Sequence, residues 1–387
     1  MNVNTITYRN FRNIEQAELV FSPGVNILWG NNAQGKTNAL EGIYCFACGK
    51  SFRGVHDREL LRFGADSGGL ELCFTDARRE QQLSLQLFRA KSRQMKKNGV
   101  AIRKSADFVG TFHGVLFCPE HLAMIKGAPA LRRSFLDAAI SQLRPAYLAA
   151  LTDYASVLKQ RNALLKQEDR DERSRMPLLD VLTVQMAELN TRIVLTRMKY
   201  IKLLDTSVGG FLEDMTCGRE HASLSYQCDA QPDLYGENGA DISRAFYEKC
   251  MSYAHREFAA QTTLHGCHRD DIQITLDGRE AKLYASQGQD RSIALAMKLG
   301  EGELSRAATG EYPVFLFDDV LSELDSGRQQ YLMQRLGGRQ VIMTSCNESL
   351  FSGMDVNMIH VDEGCYEMAC PVLHPGQGQE EQEAEEE

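Results

Sequence analysis

Residues 30–37 read GNNAQGKT: two glycines separated by four residues, then a lysine and a hydroxyl side chain. That spacing is the P-loop pattern, and each residue type in it has a chemical reason. Gly30 and Gly35 let the backbone amides of Asn31, Asn32, Ala33 and Gln34 turn inward around a phosphate chain. Lys36 neutralises the outer phosphate oxygens, and Thr37 offers its hydroxyl to magnesium. Asn38 follows on a helix whose positive end faces the same anion. Much later, residues 314–319 read VFLFDD, an apolar strand ending in two carboxylates. A buried strand has no structural use for adjacent aspartates at its end unless they serve something polar. Asp318 is suited to holding magnesium through water, and Asp319 to orienting or deprotonating an attacking water. Hydrolysis of ATP, with Mg2+ as cofactor, is the chemistry this set would perform.

Weaker signals lie between and beyond these two. Ser286, Gly288 and Gln289 in SQGQ open an apolar-periodic helix, and LSELD follows at 321–325. Ser286 and Ser322 read equally well as ordinary helix caps. The order of the pieces says more: P-loop, long insertion, SQGQ, FLFDD, SELD is the order of an ABC-type ATPase head. Asp319 stands where such heads usually carry glutamate, and TSCN at 344–347 has no switch histidine. Both departures fit slow turnover. CFAC (45–48) has the spacing of a metal pair but no comparable second pair, so packed thiols are expected. HGCH (265–268) reads as structural or nucleotide-sensing.

The elements that must position these residues follow from periodicity. NVNTITY, EQAELVF and VNILW alternate as strands before Gly30, and helical spacing runs from Lys36 to Gly49. Residues 68–117 return to short strands, with KNGV as a hairpin turn. From Pro119 to Phe258 the period becomes helical. Two long runs there flank QEDRDERSRMP, a charged apex closed by Pro177, which predicts an antiparallel helical arm of about 35–50 Å. Strands resume in DIQITLDG and YPVFLFDDV. The expected fold is α/β: an ABC-type ATPase head with mixed sheets around a P-loop core, built from residues 1–118 and 259–370. A helical lobe, 119–258, interrupts it and carries the hairpin arm. Residues 371–387 are expected to form a disordered acidic tail.

The formal charge of −9 opposes a nucleic-acid partner only until EEQEAEEE is set aside; its six glutamates leave the body about three units negative. Local cations therefore decide. Arg89, Lys91, Arg93, Lys96 and Lys97 crowd one predicted hairpin and are candidates for DNA phosphates, against a merely solvated hairpin. No base-reading motif appears, so backbone and junction-shape recognition is expected. No run of 18 apolar residues suggests a membrane partner. The eleven cysteines read as free thiols of a cytoplasmic protein.

PEHLAMIKGAPALRRSFLD (119–137) closely resembles the signature segment of the RecF family of bacterial DNA repair ATPases. YRNFRN (8–13), GNNAQGKTN (30–38), KSFRG (50–54), HRDD (268–271), SQGQDRSIALAMKLGE (286–301) and DDVLSELD (318–325) fall in that family's order. The resemblance implies an SMC-like head with a short arm, ATP-dependent homodimerisation and slow DNA-stimulated hydrolysis. It implies work with RecR and RecO in loading RecA at gapped DNA. It also implies roles: Lys36 and Thr37 as Walker A, Asp318 and Asp319 as Walker B, and Ser286, Gly288 and Gln289 as a signature facing the other subunit's nucleotide. Arg12 takes the place of an arginine that reaches the phosphates, and Arg132 and Arg133 join the DNA candidates. A transporter ATPase subunit would share the ATP motifs but not RRSFLD or the arm. A long-armed SMC protein would need on the order of hundreds of coiled-coil residues, and a nucleotide-gated scaffold would need no hydrolysis.

Overall fold

The computed structural model describes residues 1–167, 171–228, 238–351 and 353–368; the acidic tail from 371 lies outside them. Strands β1 (Asn2–Phe11) and β2 (Ile14–Val20) begin one sheet, and β3 (Val25–Trp29) leaves it for another. The chain then returns to the first sheet as β4 (Ser67–Thr75), β5 (Glu80–Phe88), β6 (Gln94–Lys97) and β7 (Val100–Ile102). The result is an antiparallel six-stranded sheet in the order β2-β1-β4-β5-β6-β7. Alternation accounts for it: Leu83, Leu85 and Leu87 are buried while Gln82 and Gln86 face out. The KNGV turn forms as expected, because Asn98 and Gly99 both take positive φ between paired Lys97 and Val100.

The second sheet adds β8 (Gly114–Phe117), then, after β9 (Ala222–Gln227), β10 (Asp271–Leu276) and β11 (Arg279–Glu280), the strands β12 (Val314–Phe317), β13 (Val341–Ser345), β14 (Asn357–Asp362) and β15 (Cys365–Met368). Its order is β15-β14-β3-β13-β12-β8, parallel from β14 to β8. Strands β8, β12 and β13 are buried throughout, as the apolar character of a parallel sheet covered on both faces requires. Each buried Phe or Leu contributes about 1.5–3 kcal/mol, so this core holds the register and the polar residues ride at the strand ends.

Strands β9, β10 and β11 make a third sheet of their own. β9, within 119–258, pairs antiparallel with β10, which lies beyond residue 258. The arm differs from its expected form. Helix Pro145–Leu165 packs along a helix of 45 residues, Glu172–Thr216, which at 1.5 Å per residue is about 68 Å long. Pro177 lies inside that helix and does not close the apex. As the sixth residue of the helix it gives up one backbone hydrogen bond, that to the Arg173 carbonyl. The lower part of the long helix packs on the head, where Leu204, Ser207 and Val208 lie against Gly300 of helix Gln287–Thr309. Two ion pairs lock the arm to its base: Arg161–Glu257 at 2.6 Å, fully buried, and Arg197–Asp137 at 2.8 Å.

Candidate active site

Parallel pairing assembles the site. Trp29 lies opposite Ser345, and Phe317 opposite Met343 and Phe117, so the carboxyl ends of β3, β13, β12 and β8 share one edge. The residues that follow them, Gly30, Cys346, Asp318 and Cys118, therefore meet at a crevice of the kind that binds ligands in open α/β sheets.

The P-loop is held from outside. A Cβ at Gly30 would collide with the Val361 carbonyl, and Gly35 is left-handed with φ 116°. Gln34 is gripped by the turn after β14: Gly364 N donates to its carbonyl at 2.8 Å and Glu363 N to its side chain at 2.6 Å. Asn13 in the β1–β2 turn donates to the same carbonyl at 3.1 Å. Helix Lys36–Cys48 then starts at Gly35 with no side-chain cap, which leaves its leading amides suited to an anion. The Lys36 side-chain nitrogen is 2.5 Å from the Gly30 carbonyl, 2.7 Å from that of Asn31 and 3.3 Å from Cys346 Sγ. A buried ammonium whose hydrogen-bond partners among the described residues are all neutral favours a polyphosphate beside it.

Thr37 and Thr344 both donate to one oxygen of Asp318, at 2.8 and 3.0 Å. Burial pushes the Asp318 carboxyl above its ordinary range; these two hydrogen bonds and the Arg53 charge oppose the shift, while Glu120 adds to it. A hydroxyl and a carboxylate are the hard oxygen ligands magnesium takes, and a cation there would favour the ionised carboxylate. The pair therefore fits such an ion, which when bound neutralises charge on the phosphate oxygens. Asp319 sits in a left-handed turn, φ 50°, with its amide donating to Thr344 at 2.8 Å and its carbonyl accepting from Ser322 at 2.7 Å. Such a conformation costs about 1–2 kcal/mol for a non-glycine residue, and the Thr344 contact holds it.

Arg12, expected to reach the phosphates, is engaged by groups of its own chain. Its guanidinium makes a two-pronged pair with buried Glu41, at 2.7 and 2.8 Å, and donates to the Glu59 carbonyl at 2.9 Å. Arg53 is the arginine that reaches Asn38, at 2.9 Å, within the field of Asp318. Sequence spacing missed Arg53, which folds back on the helix that follows the P-loop, and Glu120 and Cys346, which strand order brings here. Cys346 is exposed and donates to Asn32 at 2.8 Å. Saturating ATP is therefore expected to slow maleimide labelling of Cys346, scored against Cys346→Ser; equal labelling rates with and without ATP would place the nucleotide elsewhere.

Ser286 is a helix cap in the single chain: its hydroxyl accepts from Gln289 N at 3.3 Å, and the Gln289 side chain accepts from Ser286 N at 2.8 Å. A Cβ at Gly288 would lie at ordinary contact distance from the Arg328 guanidinium. Among the described residues, no hydrogen bond or ion pair joins Ser286, Gly288 or Gln289 to the P-loop crevice. Leu283 and Tyr284, just ahead of them, are 65% and 67% exposed.

The DNA candidates separate. Arg89, Lys91 and Lys96 are exposed. Lys97 pairs with Leu83 on the opposite face from Lys96 and donates to Thr111 at 3.1 Å, while Arg93 turns inward to the Gly49 carbonyl at 2.5 Å. Arg132 must be removed from the set. It is 3% exposed and fully engaged by Asp271, at 2.7 and 2.8 Å, and by the carbonyls of Met124 and Gly127. Arg133 is half-buried and donates to the Asp270 carbonyl at 2.7 Å. RRSFLD and HRDD thus bind each other. In the same region His268 Nδ1 lies 2.8 Å from the Tyr154 hydroxyl, and Cys45 of CFAC is packed in the core.

The family model of the RecF/RecN/SMC N terminal domain matches residues 2–365. The DNA replication and repair protein RecF of Bacillus thuringiensis (strain Al Hakam) is 36% identical over 374 residues, which cover 94% of this chain and 98% of that protein. The chain belongs to the RecF family. It is accordingly an ATPase of the RecF and SMC class. The RecF of Bacillus cereus (strain AH187) matches over the same span with the same identity. Two solved RecF structures agree closely: the recombination mediator protein RecF-ATPrS in the RecFOR pathway (TM-score 0.88) and RecF-ATP (TM-score 0.85), each 31% identical. They cover 95% of this chain and 98% and 99% of those chains. An SmcHead bound to the C-winged helix domain of ScpA, 12% identical with a TM-score of 0.54, shares the RecF fold alone. Among the described residues no helix is long and apolar enough to cross a membrane.

Proposed function

We propose that this chain is an ATP-dependent DNA-binding protein of recombinational repair and replication restart. It binds ATP with Mg2+ between the P-loop and Asp318. Two copies then close so that Ser286, Gly288 and Gln289 of one complete the γ-phosphate site of the other. The closed homodimer holds duplex, single-stranded or gapped DNA, helps RecO and RecR load RecA, and reopens after slow hydrolysis.

The observation that carries this reading is the contrast between two helix starts. One is uncapped beside Lys36 in the crevice; the other lies at the surface behind exposed Leu283 and Tyr284. Similarity to a DNA replication and repair protein, and to RecF structures with ATP and ATPrS, supports the ATP and repair parts. Exposed Arg89, Lys91 and Lys96 support a phosphate-backbone contact.

Asp319→Asn tests the hydrolytic step. It removes a carboxylate suited to general base work, which contributes roughly 10²–10⁴-fold, while leaving Lys36 and Thr37 in place. The variant is expected to bind ATP, hydrolyse it at least about 100-fold more slowly and accumulate as dimer on gapped DNA. Turnover at the wild-type rate would remove Asp319 from the reaction.

A further inference from the structure

The start of helix Gln287–Thr309 is held by a lysine from a distant segment. The Lys126 side-chain nitrogen donates to the carbonyl of Ala285, the residue before Ser286, at 2.6 Å. It also pairs with Asp290, in the first turn of the same helix, at 2.7 Å. Asp290 is largely buried, and among the described residues its second oxygen has no hydrogen-bond partner, so Lys126 is the cation that makes this carboxylate tolerable.

Lys126 is not on a slack loop. Met124 and Ile125 before it are 1% exposed, and Gly127 N donates to the Ala123 carbonyl at 2.6 Å. Arg132 clamps the carbonyls of Met124 and Gly127, both at 2.9 Å, while it grips Asp271. Upstream, the same strap begins at β8, where Phe117 accepts from the Asp318 amide at 2.9 Å, and passes through the short helix Pro119–Leu122. One stiff segment therefore runs from the Walker B aspartate to the signature cap.

We propose that Lys126 is a positioning residue: it sets how Ser286 and its helix start are presented, and the strap ties that presentation to Asp318 of the same protomer. The inference rests on the homodimer reading, in which Ser286 serves the other copy's nucleotide. Each protomer would then adjust the site it completes in its partner according to the state of its own.

The test compares Lys126→Met, Lys126→Arg and Ser286→Arg in the full chain, measuring binding of a fluorescent ATP analogue and ATP-driven dimerisation by sedimentation. Lys126→Met is expected to bind nucleotide within about twofold of wild type but to dimerise about tenfold more weakly, a loss near 1.4 kcal/mol. Lys126→Arg, which keeps the charge, should recover most of that loss, as a general packing defect would not. Should Lys126→Met fold poorly with Asp290 left unpaired, Lys126→Met/Asp290→Asn removes the stranded charge and should still dimerise weakly, because Ala285 remains unheld. Wild-type dimerisation by a folded Lys126→Met or double variant, while Ser286→Arg fails to dimerise, would overturn the role of Lys126. If Ser286→Arg also dimerises normally, the homodimer reading falls and this inference with it.

Discussion

Lys36→Ala is expected to weaken ATP binding by about 10- to 100-fold while the protein stays folded. The lysine is 7% exposed and contacts two loop carbonyls and a thiol, none of them anionic. Among the described residues no carboxylate forms an ion pair with it. Hydrogen bonds to charged groups contribute about 1.5–3 kcal/mol, and each 1.4 kcal/mol is a factor of about ten in affinity. Those numbers set the range given. The uncapped amides of helix Lys36–Cys48 remain, so a residual affinity should persist. Folding should survive, because the carbonyls that lose the lysine lie in a turn where Asn31 is exposed and water can replace it. Equilibrium titration with a fluorescent ATP analogue measures this directly; an unchanged Kd would mean that phosphates are not held by this loop.

Ser286→Arg is expected to have the opposite profile, with ATP bound at near wild-type affinity and no ATP-dependent dimer. Two effects compete at this position. Loss of the capping box costs about 1 kcal/mol of stability, small against the 5–15 kcal/mol typical of a folded domain. The added guanidinium is larger and projects from an exposed helix start, where a second copy would have to approach. Steric and charge exclusion should therefore dominate over destabilisation. Sedimentation with saturating ATP distinguishes them, since a merely destabilised chain would still dimerise at low temperature.

Much of this site was legible in the sequence because its pieces are local. The P-loop needs only eight contiguous residues, 30–37, and VFLFDD announces both a central strand and its carboxylates. The turn at Asn98–Gly99 is equally local. What escaped depends on pairing across long separations. Arg132 and Asp271 lie 139 residues apart, and nothing in RRSFLD alone says that its first arginine faces inward. Lys96 and Lys97 look like one cationic run, yet strand alternation sends them to opposite faces. Cys346 reaches Lys36 only because β13 runs parallel beside β3. Pro177 resembled a boundary, and the helix that tolerates it began before it.

The central claim, that each ATP is shared between two chains, is tested most directly by mixing the two variants. Lys36→Ala keeps an intact Ser286, and Ser286→Arg keeps an intact P-loop. Each alone should hydrolyse little ATP, since every pairing of identical chains lacks half of each site. A mixture contains dimers with one complete composite site, so ATP-dependent dimer and DNA-stimulated hydrolysis should both reappear. A mixture no more active than the sum of its parts, alongside an active Ser286→Arg homodimer, would show that each chain works on its own nucleotide and that Ser286 is only a helix cap.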